Sequence, residues 1–336
     1  MHKNSLDGLR LVASTMVLLS HQFALSGLPE PSFFGLTSFG TAGVTIFFFL
    51  SGFLVWTSWD RDPNLKRFFW RRALRIFPAL WVVCLVSVFL LGPAVTALPV
   101  SDYFNSAVTW RYLGTLMLLS TNVLPGLFPQ NALPFVVNGS LWTLPLEFLC
   151  YVTVAVMGLS ALYLKLRPGW LLGGSLTVLA LLASYGSLWT GDHFVLHFEM
   201  VAMFWWGAFY GYCVKARPDR HAMVLPVIGL ILFASLGPRG LERTAVLVCA
   251  AGLVHVARRC AAGARLTDPL GDLSYGVYIF AFPVQQLVIQ LGSARGWSWG
   301  VQLAISVALT FMLAYLSWNL VEKWALRFKP HVSRLT

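Results

Sequence analysis

The sequence predicts an all-α membrane protein, a bundle of about ten transmembrane helices with both termini cytoplasmic. Three observations support this prediction. Only 11% of the 336 residues are charged while 57% are hydrophobic, too few polar groups to coat a soluble globule. Apolar runs of about 18 to 22 residues, the length that crosses a bilayer, recur along the whole chain. The basic residues fall almost entirely on one side of the resulting topology.

Ten candidate spans follow from the apolar runs. They lie near 8–27, 38–58, 77–98, 141–164, 170–189, 198–214, 222–237, 243–257, 271–291 and 299–320. The first is interpreted as a retained helix rather than a signal peptide, because Arg10 and His21 lie inside it. The segment 99–140 is expected to hold an interfacial or re-entrant element, since an eleventh crossing would invert the downstream charge pattern.

The charge distribution sets the orientation and excludes one class of partner. Of the 24 Lys and Arg residues, all but Arg111, Arg239, Arg243 and Arg295 fall on the side of the two termini. That side is therefore predicted to be the cytoplasm, in the inner (plasma) membrane. The net charge of +11 is thus explained by membrane orientation, and no nucleic-acid partner is expected. Five dispersed cysteines without a CxxC pair argue against disulfides and structural zinc.

The first helix carries the sharpest candidate site. Asp7, Arg10, Ser14 and His21 share one helical face, and Arg10 and His21 are about 16 Å apart along the axis. We expect them to face a single cavity, because an ionisable residue inside the membrane is a functional candidate by default. A structural role remains the alternative, with His21 bonded to a neighbouring helix and Arg10 reaching lipid phosphate.

Two further segments hold candidate residues. Residues 68–78 are interpreted as a loop and helix entry, where Arg72 and Arg75, three apart, can clamp a phosphate, or else anchor the helix as ordinary positive-inside residues. Residues 138–148 bring the lone carboxylate Glu147 into an apolar helix, where it requires an Arg, a His or water beside it. It is a catalytic group or an arginine's structural partner.

Other segments of the sequence carry weaker signals. The run 47–53 is expected to be a tight helix-packing surface in which Ser51 can donate a hydrogen bond. His193, His197 and Glu199 are interpreted as a solvated loop, because their spacing without a further ligand is poor for a metal, and no metal site is predicted. The sequence contains no G-x-S-x-G elbow, Walker loop or dinucleotide glycine fingerprint.

Four motifs in register resemble the acyltransferase 3 family, and two later segments extend the likeness over nearly the whole chain. They are residues 5–10 with His21, residues 48–53, residues 72–78, residues 138–147 with Asn138 and Trp142, residues 273–278, and residues 314–323. Many relatives carry a histidine where this sequence has Ala281, so any role of that histidine cannot be assigned here.

The resemblance implies a multi-pass enzyme that moves an acyl group, usually acetyl, from cytoplasmic acyl-CoA to a hydroxyl of a glycan, lipid-linked sugar or similar acceptor. On this reading Arg10, Arg72 and Arg75 hold the donor, and His21 and Glu147 are catalytic. Asp7, Ser14, Ser51, Asn138 and Trp142 support them. Glu147 is expected to orient or charge His21, which acts as a general base or is itself transiently acylated.

Two other functional classes stay open. A transporter can use the same buried groups as a substrate or proton pathway, and a non-catalytic sensor or assembly partner can keep the fold. The chain is expected to form one membrane domain over residues 1–336, with no soluble domain appended after the last span. The acceptor, the acyl group and the oligomeric state are left undetermined.

Overall fold

The computed structural model describes residues 5–119, 121–166, 168–185, 192–216, 224–235, 240–260 and 271–330. The regular structure of this part of the chain is helical apart from one two-stranded hairpin and an isolated bridge between Val123 and Val136. In chain order the elements are α1 (Leu6–Leu25), β1 (Ser32–Phe33), β2 (Thr37–Ser38), α2 (Phe39–Arg61), α3 (Leu65–Val86), α4 (Val100–Asn105), α5 (Ala107–Tyr112), α6 (Thr143–Tyr163), α7 (Pro168–Tyr185), α8 (Asp192–Ala216), α9 (Val224–Ser235), α10 (Gly240–Arg259), α11 (Ser274–Ala294) and α12 (Trp299–Ser317).

Within the described residues, seven helices are long and apolar enough to cross a membrane. They are Leu6–Leu25, Phe39–Arg61, Leu65–Val95, Gly139–Tyr163, Gly240–Arg259, Ser274–Ala294 and Trp299–Phe328. The three other predicted spans coincide with α7, α8 and α9. The all-α class and the multi-span character are therefore confirmed, and the exact number of crossings and their direction stay predictions.

The third helix begins well before residue 77, the predicted start of the third span. It begins at Leu65, where the side chain of Asn64 accepts a hydrogen bond of 3.0 Å from the backbone N–H of Arg67. Such an N-cap satisfies one of the donors left free in the first helical turn. The part of residues 68–78 that is predicted to be a loop is therefore helical, Arg72 and Arg75 lie on a helix as predicted, and Pro78 is accommodated in its interior.

The segment between α3 and α6 contains no long helix in its described residues. Its helices α4 and α5 have six residues each and are followed by a five-residue 3₁₀ turn. These elements are too short to cross a bilayer, in agreement with the predicted absence of an eleventh span here. The small β1–β2 hairpin between α1 and α2 is not among the elements that the sequence pattern predicts.

Close packing fixes α2 in the bundle. A Cβ atom at Gly52 would overlap the backbone carbonyl of Phe204 in α8, and one at Gly207 would overlap that of Phe49. Small residues allow helix backbones to approach in this way. The predicted packing role of residues 47–53 is thus confirmed, and α2 is held between α8 and α1.

Candidate active site

Two cavities lie beside α1 and α2, and each contains part of the predicted site. The first, about 110 Å³, is named here the arginine cavity; its polar lining comprises Arg10, Ser51, Arg72, Arg75, Thr143, Glu147, Tyr151, Ser274, Tyr275 and Tyr278. The second, about 150 Å³, is named the histidine cavity; its lining includes His21, Glu30, Ser38, Thr41, Ser140, Trp142 and Tyr278.

The expectation of a single cavity is corrected by this arrangement. Arg10 lines the arginine cavity, whereas His21, three turns further along α1, lines the histidine cavity. Val44 and Tyr278 line both, so the two cavities adjoin. The hydroxyl of Tyr278 donates to the carbonyl of Ser140 at 2.9 Å, which fixes the phenol at the boundary.

Asp272 joins two of the three arginines. Its Oδ2 accepts a hydrogen bond of 2.6 Å from Arg75 and one of 3.4 Å from Arg10. Arg10 also bonds to Asp7 at 3.2 Å. Burial alone would raise the pKa of Asp272, but the two guanidinium groups and the Ser274 hydroxyl lower it to about 2, so this carboxylate is ionised. Sequence reasoning missed Asp272, although a carboxylate two residues before an apolar helix was a visible signal.

Arg72 differs from the other two arginines because part of its fork is free. Its Nε and Nη2 are buried and make no hydrogen bond among the described residues. The guanidinium lies over the rings of Phe68 and Tyr151, 5.3 and 5.7 Å from their centroids. Stacking of this kind holds a guanidinium plane without consuming its donors, so Arg72 can bind an anion bidentately.

Glu147 belongs to the arginine cavity and not to the surroundings of His21. Its Oε1 accepts hydrogen bonds from Ser51 at 2.7 Å and from Tyr151 at 2.5 Å. The predicted hydrogen-bonding role of Ser51 is confirmed. The expectation that Glu147 orients or charges His21 is wrong for this structure, because the carboxylate that shares a cavity with His21 is Glu30.

The imidazole of His21 is held by apolar contact on one side. It packs edge-on against Phe282, with ring centroids 5.2 Å apart, and its Nδ1 is buried without a hydrogen bond to any described residue. Trp142 also lines this cavity and packs against His197 at 4.9 Å. An imidazole that lines a cavity can accept a proton from a hydroxyl bound there.

Three predicted supporting residues lie outside both cavity linings: Asp7, which bonds to Arg10, Ser14 and Asn138. The hydroxyl of Ser14 donates to the carbonyl of Leu11 in its own helix at 2.9 Å. Asn138 is buried and donates to the carbonyl of Ile279 in α11 at 2.8 Å, while its side-chain oxygen accepts from the N–H of Ser140. Asn138 thereby ties the segment before α6 to α11, so its contribution is structural.

Ala281 packs away from the site. It is buried with Leu18 of α1 and Ala314 of α12, and it lines neither cavity. The predicted loop around His197 and Glu199 is corrected, since both lie in α8 and Glu199 pairs with Arg243 at 3.3 Å. The side chain of His193 lies outside the described residues.

The comparisons identify the class to which this fold and site belong. The acyltransferase domain family matches residues 3–319, and the chain belongs to this acyltransferase 3 family of multi-pass membrane enzymes. It is 33% identical to an O-acetyl transferase of Shigella phage Sf6 over 99% of both chains.

Two further relatives are more distant. Nodulation protein 10 of Rhizobium leguminosarum bv. viciae is 29% identical, over 98% of this chain and 94% of its own. The exopolysaccharide production protein ExoZ of Rhizobium meliloti (strain 1021) is 27% identical, over 86% of this chain and 90% of its own. No solved structure matches the chain.

Proposed function

We propose that this acyltransferase moves an acetyl group from acyl-CoA, bound from the cytoplasm in the arginine cavity, to a hydroxyl of a glycan or lipid-linked sugar bound in the histidine cavity. The observation that carries the proposal is the adjacency of the two cavities through Val44 and Tyr278. A donor with charged phosphates and an uncharged thioester arm requires a cationic entrance followed by an apolar passage. The arginine cavity offers both.

We assign the binding of the donor phosphates first to Arg72, because part of its guanidinium group has no partner among the described residues. Its Nε and Nη2, which make no hydrogen bond to any described residue, form the planar fork that suits a phosphate. Arg10 and Arg75 are held in place by Asp272 and contribute further positive charge. Partial burial and the charges of Arg75, Arg72 and Arg10 lower the pKa of Lys329, so a fourth basic residue lies near this group.

The passage between the cavities suits the rest of the donor. Phe47, Phe48, Leu54 and Ile76 line the arginine cavity between its charged residues. Arg10 and His21 are separated by about 16 Å along α1, which is on the order of an extended pantetheine arm. A thioester carried on that arm can therefore reach the boundary at Tyr278 while the phosphates stay beside the arginines.

His21 is assigned the proton transfer. In direct transfer it takes the proton of the acceptor hydroxyl, whose oxygen attacks the thioester carbonyl. The C–S bond then breaks, and the departing CoA thiolate recovers a proton. In the two-step alternative a ring nitrogen of His21 attacks the thioester carbonyl, the C–S bond breaks and CoA leaves as the thiolate. The acceptor oxygen then takes the acetyl group from the imidazole, and the hydroxyl proton passes to the CoA thiolate.

The names of the relatives support the acyl group and the acceptor class. One relative is an O-acetyl transferase and another an exopolysaccharide production protein. Trp142 in the histidine cavity supplies an aromatic face of the kind that packs against a sugar ring. Twenty of the 24 basic residues on the side of the termini favour a cytoplasmic donor and an acceptor on the opposite side, in the plasma membrane.

The test uses acetyl-CoA labelled with different isotopes in the acetyl group and in the CoA portion. Proteoliposomes containing the protein are supplied with this donor outside and with a membrane extract of glycans and lipid-linked sugars. We expect the acetyl label alone to enter a glycan product, with one CoA thiol released for each acetyl transferred. Passage of both labels together into the lumen without product would replace the proposal with transport, and the absence of any labelled product would overturn it.

A further inference from the structure

Glu30 is the acidic residue of the histidine cavity among its described lining residues. It follows α1 by five residues, and the chain returns towards the helix through a turn at Gly27, whose φ of +71° favours glycine. In this turn the N–H of Leu28 bonds to the carbonyl of Phe23 at 2.9 Å, as in the usual glycine-terminated helix end. The turn brings Glu30 back beside the last turns of α1.

A hydrogen bond to α1 and close packing at the start of α2 hold the Glu30 carboxylate in the cavity that His21 lines. Its Oε2 accepts a hydrogen bond from Ser20, the residue that directly precedes His21 in α1. The same oxygen lies at the N-terminus of α2, where a Cβ built on Gly40 would be 3.3 Å from it and 3.0 Å from the Ser20 hydroxyl. A helix N-terminus favours a negative charge nearby, so this position suits a carboxylate side chain.

We propose that Glu30 is a positioning residue for His21: it stabilises the imidazolium that forms when His21 takes the acceptor's proton. This inference rests on the acyl transfer proposed above. It gives His21 a carboxylate partner in place of Glu147, which is bonded to Ser51 and Tyr151 in the other cavity. A charge opposite a developing charge lowers the barrier only if it is already in place, and the contacts to Ser20 and to α2 hold it there.

The alternative role for Glu30 is direct binding of an acceptor hydroxyl. The two roles differ in kinetics. Stabilising the imidazolium acts only in the transition state and lowers kcat when lost, whereas a uniform binding contact raises the KM for the acceptor. The charge can be removed with little change of shape, because the Glu30→Gln substitution keeps an amide oxygen that accepts from the Ser20 hydroxyl.

The experiment compares wild type with Glu30→Gln, Glu30→Asp and the control Asp102→Asn. Asp102 is an exposed carboxylate of α4 that lines neither cavity, so the control makes the same chemical change elsewhere. Acetyl transfer is measured over a range of donor and acceptor concentrations. The temperature of unfolding with and without CoA shows for each variant that the protein is folded and that the arginine cavity is intact.

We expect Glu30→Gln to lower kcat about tenfold, with both KM values within about twofold of wild type. Glu30→Asp should recover part of that loss, and Asp102→Asn should match wild type. An unchanged kcat, or a raised KM for the acceptor alone, would overturn the inference while leaving the acyl transfer standing. A wild-type protein that transfers no acetyl group would overturn both, and in that case CoA binding alone would still report on the arginine cavity.

Discussion

Arg75 of α3 donates a hydrogen bond of 2.6 Å to Oδ2 of Asp272, 197 residues further along the chain. This bond joins α3 to the start of α11 beneath the arginine cavity. The same oxygen accepts from Arg10 of α1, so one carboxylate organises cations from two helices. The relationship explains how two of the three arginines of the cavity, Arg10 and Arg75, are held together before any anionic donor arrives.

Replacing Asp272 with Asn should destabilise the protein without its donor by about 3 kcal/mol, because two partly buried guanidinium groups lose their carboxylate. The pKa of Asp272 is about 2 against an ordinary 3.8, so its stabilising contribution is complete above about pH 5 and is lost as the pH falls through 3.8 towards 2. The measurement is the unfolding temperature of wild type and Asp272→Asn in detergent.

The difference in unfolding temperature between wild type and Asp272→Asn should stay constant from about pH 8 to about pH 5 and become smaller below about pH 4. Added CoA should raise the unfolding temperature of Asp272→Asn more than that of wild type. In the variant Arg10 and Arg75 have lost their carboxylate partner, and a phosphate of CoA can neutralise them. Equal stabilities at neutral pH would contradict the role given to this carboxylate.

Arg72→Lys should raise the KM for acetyl-CoA about tenfold, because lysine lacks the planar fork and the stacking on Phe68 and Tyr151. Acetyl-pantetheine, which lacks the phosphates bound by the fork, provides the comparison. Wild type and Arg72→Lys should use this shortened donor with similar KM values. Arg111→Lys, at an exposed position of α5 that lines neither cavity, is the matched control and should resemble wild type with both donors. An equal effect on both donors would assign Arg72 a structural role.

Ser51 and Glu147 should act as one unit, because the Ser51 hydroxyl donates to Oε1 of Glu147 at 2.7 Å. Ser51→Ala and Glu147→Gln are each expected to raise the KM for the donor, and the double variant should be no worse than Glu147→Gln alone. Neighbours that share a hydrogen bond show such coupling, of about 0.5 to 3 kcal/mol. Strictly additive effects on kcat/KM would show that the two residues act independently.

Gly52→Ala should prevent stable folding, at a cost of about 3 kcal/mol or more, because the new methyl group would collide with the backbone of Phe204. Gly252→Ala is the matched control, since a Cβ built there meets no described atom within 4 Å apart from its chain neighbours and its own helix backbone. Size-exclusion chromatography of fluorescently tagged protein in detergent measures the folded fraction. A normal elution profile for Gly52→Ala would show that α2 and α8 are not packed as described.

The positions of the helices can be predicted from the sequence where hydropathy is the dominant signal. The apolar runs predict α1, α2 and α11 closely, because a bilayer leaves few alternatives to a helix. They misplace the start of α3, because Lys66, Arg67 and the other basic residues lower hydropathy without preventing a helix capped by Asn64. For the same reason the polar residues His197 and Glu199 resemble a loop although they belong to α8.

The sequence identifies many of the residues of the site but not which of them lie together. Helical periodicity correctly places Arg10 and His21 on related faces of α1, yet it cannot show that Tyr278, from α11, separates their surroundings into two cavities. Asp272 and Glu30 escape sequence reasoning because each acquires its partner only through tertiary contact. The pairing of Glu147 with His21 is wrong since both Ser51 and Tyr151 hold that carboxylate in the arginine cavity.

The most direct test of the whole account is acetyl transfer by wild type and His21→Gln, at equal amounts of folded protein, with CoA binding measured in parallel. Glutamine keeps polar atoms near the site of the imidazole but does not accept a proton at neutral pH. We expect His21→Gln to bind CoA as wild type does and its transfer rate to fall at least about a hundredfold. Equal transfer by the two proteins would contradict the central claim, because the reaction would then proceed without the His21 base.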